Sequence, residues 1–109
     1  MADTFRKQLV QRFCKSLLDI HILRLIQKEP MWGYEIIKQT EQLLGVKLTH
    51  GAVYPLLNSL ETRGYLRSRK EVKGRRARKT YEVTSRGIQL IEAYYNYLRE
   101  QLLKQDIEA

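Results

Sequence analysis

The feature that most constrains the fold of this chain is a basic segment at residues 67–79, which has the sequence RSRKEVKGRRARK. It holds eight Lys and Arg residues against one acid, Glu71, which leaves a net charge of +7. The whole chain of 109 residues carries +8, so nearly all of its excess positive charge lies in this one stretch. Because like charges repel, a segment this basic is expected on the surface, facing an acidic partner such as nucleic acid.

Two short β-strands are predicted around this segment, at residues 65–73 and 79–84. In the second strand, Tyr81 and Val83 alternate with polar residues, which is the period-two pattern of a half-buried strand. Gly74 begins the turn between the strands. The strands therefore form a hairpin, and its tip, GRRAR, is too charged to be buried.

The N-terminal part of the chain predicts two helices. A polar arm, residues 1–12, leads into a densely apolar stretch at residues 13–28, which predicts a central helix of the core. Pro30 ends this helix, because the residue before a proline is pushed out of the α region. A second helix is predicted over residues 34–44, and Trp32 in front of it is expected to anchor the core.

The third predicted helix lies directly before the hairpin. Thr49 is a good N-cap, and the apolar stripe of this helix runs to about residue 63. Pro55 leaves the start of the helix open. It either bends a helix that begins at Thr49, or it occupies the favoured first position of a helix that begins near Tyr54.

The last predicted helix, about residues 85–105, carries more apolar surface than a lone terminal helix needs. Its apolar residues step by three and four, which is the spacing of a seam between helices. The residues expected to form a dimer contact are Phe13, Ile88, Ile91, Tyr95, Leu98 and Leu102. A second copy of the chain is therefore an expected partner.

A cluster of aromatic residues on the same helix fits two uses. The cluster consists of Tyr94, Tyr95 and Tyr97. It suits either the core of the dimer or the lining of a ligand site, and flat apolar or cationic molecules would suit such a site.

Together these elements predict a mainly α fold with a two-stranded β-hairpin. The arrangement is that of a winged helix-turn-helix, residues 1–84, followed by a C-terminal dimerisation helix, residues 85–109, in one compact unit. In such a fold the third helix enters the major groove of double-stranded DNA, and the hairpin is the wing.

The exposed residues of the third helix and of the wing are the candidates for DNA contact. On the helix they are Thr49, His50, Gly51, Tyr54 and Asn58. Hydroxyl groups near a helix N-terminus suit phosphate oxygens, whereas His50 and Asn58 suit base edges. On the wing they are Lys73, Arg75, Arg76, Arg78 and Lys79, which suit the phosphate backbone or the minor groove.

Other classes of protein find little support in the sequence. With two His and one Cys, no catalytic residue, metal site or cofactor is expected. There is no apolar signal peptide and no run long enough to span a bilayer, so a soluble, cytoplasmic protein is expected, without a membrane partner. The rival hypotheses are a winged helix for protein–protein contact, a non-specific basic DNA-binding protein, and a peripheral membrane protein.

The ordered motifs of the chain resemble the PadR family of transcriptional regulators. They cover about residues 17–90 and are Gly33-Tyr34-Glu35, Gly51-Ala52-Val53-Tyr54-Pro55-Leu56-Leu57, Leu60-Glu61 with Arg63-Gly64-Tyr65-Leu66, Gly74-Arg75 with Arg78-Lys79 and Tyr81, and Val83-Thr84 with Gly87. The chain is similar to the short subgroup of the family, which has one C-terminal helix.

The resemblance implies a homodimer that binds an inverted-repeat operator and usually represses. It also implies release by a small aromatic or cationic effector in many members, bound in some of them between the two C-terminal helices. The expected function is therefore a sequence-specific transcriptional regulator rather than an enzyme.

Overall fold

The computed structural model describes residues 2–108, with the side chains of residues 2, 73 and 104–108 outside the description. Five helices and three strands follow one another in the described residues. They are α1 (Ala2–Ser16), α2 (Leu18–Lys28), β1 (Met31–Trp32), α3 (Gly33–Leu44), α4 (His50–Thr62), β2 (Leu66–Lys73), β3 (Arg76–Val83) and α5 (Ser85–Glu108). This mainly α architecture with a wing confirms the predicted fold class.

Among the described residues, no helix is long and apolar enough to cross a membrane.

The N-terminal part of the chain breaks into helices at a different place from the one predicted. The helix predicted over residues 13–28 is broken at Leu17, whose φ of −122° and ψ of 42° are not helical. The polar stretch before it belongs to α1. The break lets α2 turn its apolar side into the core independently of α1, and Ile22 and Leu23 of α2 are fully buried. Pro30 has the expected effect, since α2 ends at Lys28 and the next residue is extended.

The hairpin is part of a three-stranded antiparallel sheet with the order β1-β3-β2. In β1, Met31 pairs with Tyr81 and Trp32 pairs with Thr80. This strand was not predicted, because two residues are too few to show a period-two pattern. Met31 lies in the core, whereas Trp32, the expected core anchor, is only half-buried.

The tip of the hairpin is shorter than predicted. Lys73 and Arg76 pair with each other across the strands, so the turn consists of Gly74 and Arg75 alone. Gly74 has a φ of 64°, and a glycine with positive φ at the first position of a two-residue turn matches the twist of the flanking strands. The five-residue tip was therefore wrong: Arg76 and Arg78 belong to β3.

The start of α4 is defined by the cap at Thr49 and by the place of Pro55 within the helix. The Ala52 N–H donates to Thr49 Oγ1 over 3.1 Å, which confirms Thr49 as the N-cap. Because the helix starts at His50, Pro55 lies inside it and leaves the Gly51 carbonyl without its helical donor.

The core lies between the helices and one face of the sheet. Its fully or nearly fully buried members come from seven of the eight elements and include Ile22, Leu23, Met31, Ile36, Val53, Leu57, Leu60, Leu66, Tyr81 and Ile91. At the start of α5, the Gly87 N–H donates to Thr84 Oγ1, and the Thr84 hydroxyl donates to the Gly64 carbonyl. These bonds join α5 to the end of α4, so the wing is held between two helices.

Candidate nucleic-acid interface

The outer side of α4 brings all five predicted helix residues together. Thr49, His50, Gly51, Tyr54 and Asn58 are all exposed. The rings of His50 and Tyr54 are stacked, with centroids 5.4 Å apart and planes 2° apart. The two rings therefore restrict each other's orientation on the exposed side of α4.

Tyr54 also reaches the first residue of α3. A Cβ atom built on Gly33 would lie 2.6 Å from the Tyr54 ring and 2.8 Å from its hydroxyl oxygen. Only glycine allows this approach, which places the Tyr54 hydroxyl beside the N-terminus of α3. The contact explains why a glycine begins α3.

Arg78 is held against an aromatic residue that was not predicted to be part of the site. Its guanidinium carbon lies 4.2 Å from the centre of the Trp32 ring. Tyr34 is next to Trp32, with ring centroids 5.3 Å apart, and Lys38 lies 6.0 Å from the Tyr34 ring. A pair of neighbouring aromatic rings therefore lies between a cation of β3 and a cation of α3. Trp32 was missed because its partner is distant in sequence.

A cleft of about 270 Å³ separates α4 from the wing, where the wing denotes β2, β3 and the turn between them. We call it the wing cleft, and its lining residues are Trp32, Gly33, Tyr54, Ala77, Arg78, Lys79 and Tyr81. β1 pairs with β3 only at Tyr81 and Thr80, so the lining residues Ala77, Arg78 and Lys79 have no strand beside them on that edge of β3.

The positive charges of the wing fall into two groups. Arg67 Nε lies 2.5 Å from Glu82 Oε1, and Arg69 Nε lies 3.2 Å from Glu71 Oε1, so both arginines have acidic partners. Among the described side chains, no ion pair involves Arg75, Arg76 or Arg78. Lys70 also takes part in no ion pair, so the free charges of the described wing side chains are Lys70 on β2 and the three arginines at and after the turn. The side chain of Lys73 lies outside the described part of the structure.

Glu61 fastens the wing to α4. Its carboxylate accepts a hydrogen bond from the Ser68 hydroxyl on β2, and it lies 3.7 Å from the Lys79 ammonium on β3. Burial, and then the charge of Glu61, raises the pKa of Tyr81, which keeps this core phenol neutral. The wing is thus held at a defined position relative to the exposed side of α4.

The residues predicted for dimer contact do not form one surface. Ile91 is only 1% exposed and packs in the core of its own subunit, so it is not available to a second copy. Phe13 is half-buried and meets Tyr94 of its own chain edge-on, at 6.3 Å between ring centroids. The remaining members are exposed and are Ile88, Tyr95, Leu98 and Leu102.

The three tyrosines of α5 also have different surroundings. Tyr94 is half-buried, and burial raises its pKa. Tyr95 is exposed, and the Arg24 guanidinium lies 5.5 Å from its ring. Tyr97 is 61% exposed. Of the three, Tyr95 lines a cleft of about 220 Å³, together with residues of α2 and α3 that include Arg24 and Leu44.

The comparison with protein families decides the identity of the domain. The model of the PadR-like family of transcriptional regulators matches residues 22–93, which run from α2 into α5. This chain belongs to the PadR-like family. Membership confirms the predicted resemblance, and it makes the protein a transcriptional regulator rather than an enzyme.

Solved structures of PadR-like proteins have the same fold. A PadR-like transcription factor from Bacteroides fragilis superposes with a TM-score of 0.79 at 22% identity, covering 94% of this chain and 99% of its own. A PadR family regulator from Eggerthella lenta gives a TM-score of 0.73 at 26% identity, covering 95% and 94%. No curated protein matches the chain.

One PadR structure contains nucleic acid. The Bacillus subtilis PadR in complex with operator DNA matches with a TM-score of 0.68 at 28% identity. The match covers 72% of this chain and 47% of that one.

Proposed function

We propose that this chain is a homodimeric regulator that binds an inverted-repeat operator and represses transcription from it. One observation carries the proposal: Tyr54 on the exposed side of α4 and the unpaired Arg78 of the wing line the same cleft. The operator complex of the Bacillus subtilis relative supports it, since that protein shares the fold over most of this chain.

On α4, phosphate and base contacts fall to different residues. The Thr49 hydroxyl and the free N–H groups at the helix start suit a phosphate oxygen. Asn58 lies about two turns further along the exposed side, where it can form paired hydrogen bonds to adenine. His50 is close enough to the helix start to meet base edges, and its stacking on Tyr54 restricts its orientation.

The wing cleft suits a phosphate between the major groove and the wing. Tyr54, Arg78 and Lys79 all line this space of about 270 Å³. Their side chains supply hydrogen-bond donors and the unpaired positive charge of Arg78, while the Lys79 ammonium also lies 3.7 Å from Glu61. Arg75 and Arg76, next to the turn, then extend along the backbone or into the minor groove.

A second copy of the chain would cover the apolar residues left exposed on the helices outside the sheet. On α5 they include Leu103 as well as the residues named above, and on α1 and α3 they include Phe5, Leu9, Leu43 and Leu44. Exposed apolar side chains at this density mark an interaction surface. A two-fold dimer presents two copies of α4, so the operator is an inverted repeat with half-sites about one helical turn apart.

The effector is proposed to be a flat aromatic molecule. An apolar groove of about 610 Å³ lies along α1 and is lined by Leu9, Val10, Phe13, Cys14 and Leu44, with Arg12, Ser16, His21 and Arg24. Arg24 also covers the Tyr95 ring, so a cationic effector would meet a like charge there. Thermal denaturation with a set of neutral and cationic aromatic compounds tests this preference.

The proposal is tested by titrating the protein with two duplexes at two salt concentrations. One duplex comes from upstream of its own gene, and the other has the same composition in scrambled order. Tight, salt-sensitive binding that favours the upstream duplex supports the proposal, and footprinting should then protect an inverted repeat. Equal binding to both would indicate a non-specific protein. Binding to neither would favour a protein partner, and liposome sedimentation would test the membrane alternative.

A further inference from the structure

We propose that Trp32 is a positioning residue for DNA binding, because it holds Arg78 in the wing cleft before DNA arrives. The inference rests on the proposed function and adds a residue outside α4 and the wing. The contact is the shortest of the five cation–aromatic contacts among the described residues, at 4.2 Å against 5.1–6.0 Å for the others. Tryptophan is also the aromatic partner with the strongest attraction for a cation.

The backbone explains why these two residues meet. Trp32 lies opposite Thr80 in the pairing of β1 with β3. Arg78 is two residues before Thr80 on β3, so its side chain leaves the same face of the sheet as those of Thr80 and Trp32. A diagonal neighbour in a sheet is within reach of a long side chain.

The contact with Trp32 leaves Arg78 able to bind an anion. The indole ring centre lies 4.2 Å from the guanidinium carbon, and the five N–H donors of arginine lie in the plane of its guanidinium and point out from the edges of that group. Ordering a flexible arginine on binding reduces affinity. An arginine that already rests over the Trp32 ring avoids part of that loss, and lysine has no planar group with which to make the same contact.

The position of Trp32 argues against a role in the core alone. Its neighbour Met31 is 2% exposed and belongs to the core, whereas Trp32 is half-buried on the opposite side of β1. A core role predicts that changes at Trp32 alter stability without regard to residue 78. A positioning role predicts that the two residues depend on each other in DNA binding.

The first measurement detects the contact in the free protein. Trp32 is the one tryptophan of the chain, so its fluorescence reports on a single site. Arg78→Lys should change the emission, because the planar group leaves the indole. Arg86→Lys is the matched control, since Arg86 lies 5.1 Å from the Tyr65 ring and outside the wing cleft. Equal spectra for wild type and both variants would overturn the contact.

The second measurement tests the consequence for DNA. The duplex is the one that wild type binds most tightly in the titration above, and the variants are W32L, R78K and the double variant. Each single change should weaken binding about three- to tenfold. The double variant should be little weaker than either single one, and R78K should keep the wild-type salt slope because its charge is unchanged.

The outcomes separate this inference from the proposed function. If wild type binds the duplex but the fold-losses in affinity of the two single variants multiply in the double variant, Trp32 acts independently of Arg78 and the inference is wrong. If wild type binds no duplex, both the proposed function and the inference are wrong. If W32L does not fold, R78K and R86K decide: equal affinity of R78K and wild type overturns the inference.

Discussion

Thr49 caps α4, and this structural role can be tested separately from its proposed phosphate contact. Thr49→Ala removes the acceptor for the Ala52 N–H at the start of α4, and such a loss costs about 1 kcal/mol of unfolding free energy. Thr49→Ser keeps a hydroxyl that can accept the same bond. Urea denaturation should therefore show a loss for the alanine variant and little change for the serine variant. Equal stability of the two variants would mean that the cap contributes nothing.

His21 joins α2 to α3 through a directed hydrogen bond. The Thr40 hydroxyl donates to the Ile36 carbonyl over 2.8 Å, so His21 Nε2 must be the donor in its 2.8 Å bond to Thr40 Oγ1. Burial, and then the nearby positive charge of Arg24, lowers the pKa of His21 from its ordinary value of 6.5. The folded protein therefore favours the neutral imidazole.

This pKa makes stability depend on pH. As pH falls below 6.5, the unfolded chain takes up a proton on His21 before the folded state does, so the free energy of unfolding falls until pH reaches the lowered folded pKa. His21→Gln has no such proton and can still donate to Thr40. Urea denaturation at pH 7.5 and pH 5.5 should show a larger loss for wild type than for this variant. The same loss in both would contradict the assignment to His21.

At the scale of elements, three helical glycines differ in what surrounds them. A Cβ on Gly87 of α5 would lie 2.3 Å from the Tyr65 carbonyl oxygen, which belongs to the backbone and cannot move alone. A Cβ on Gly33 of α3 would meet only the end of the Tyr54 side chain. A Cβ on Gly51 of α4 would meet nothing within 4 Å.

Alanine at these three positions should therefore have three different effects. G87A should lose about 2–3 kcal/mol of unfolding free energy through overpacking. G51A should gain about 0.5–1 kcal/mol, since alanine favours a helix over glycine. G33A should change stability little but weaken duplex binding, because Tyr54 is displaced. Denaturation and duplex titration of the three variants test this order, and a G87A variant as stable as wild type would contradict it.

The elements with local signals were predicted, and those that depend on distant partners were not. Thr49 as a cap and Gly64 as a helix stop act within a few residues of the chain, and both have that place in the structure. By contrast, β1 exists only through its pairing with β3, and Trp32 gains its role only through Arg78. Nothing near these residues in sequence indicates such partners. The predicted set of helix contact residues shares one exposed side because it followed the helical period.

At the scale of the whole molecule, the proposed dimer depends on the exposed apolar side chains of α5. These are Ile88, Tyr95, Leu98 and Leu102, which we call the seam. Leu98→Asp would place a charge in that seam and should give a monomer of 13.0 kDa in place of a dimer of twice that mass. Asn96→Asp adds the same charge on the same helix at an exposed position outside the seam. Sedimentation equilibrium should find N96D dimeric and L98D monomeric, with weaker duplex binding for L98D. A dimeric L98D would exclude this seam.

The salt dependence of duplex binding tests the central claim most directly, with wild type compared to the R75A/R76A/R78A variant. If about five positively charged groups per subunit neutralise phosphates, a plot of log Kobs against log salt concentration for the dimer should have a slope of about −9. Removing three of these charges per subunit should flatten the slope to about −4 and weaken binding to every duplex. An unchanged slope would show that the wing arginines do not contact DNA.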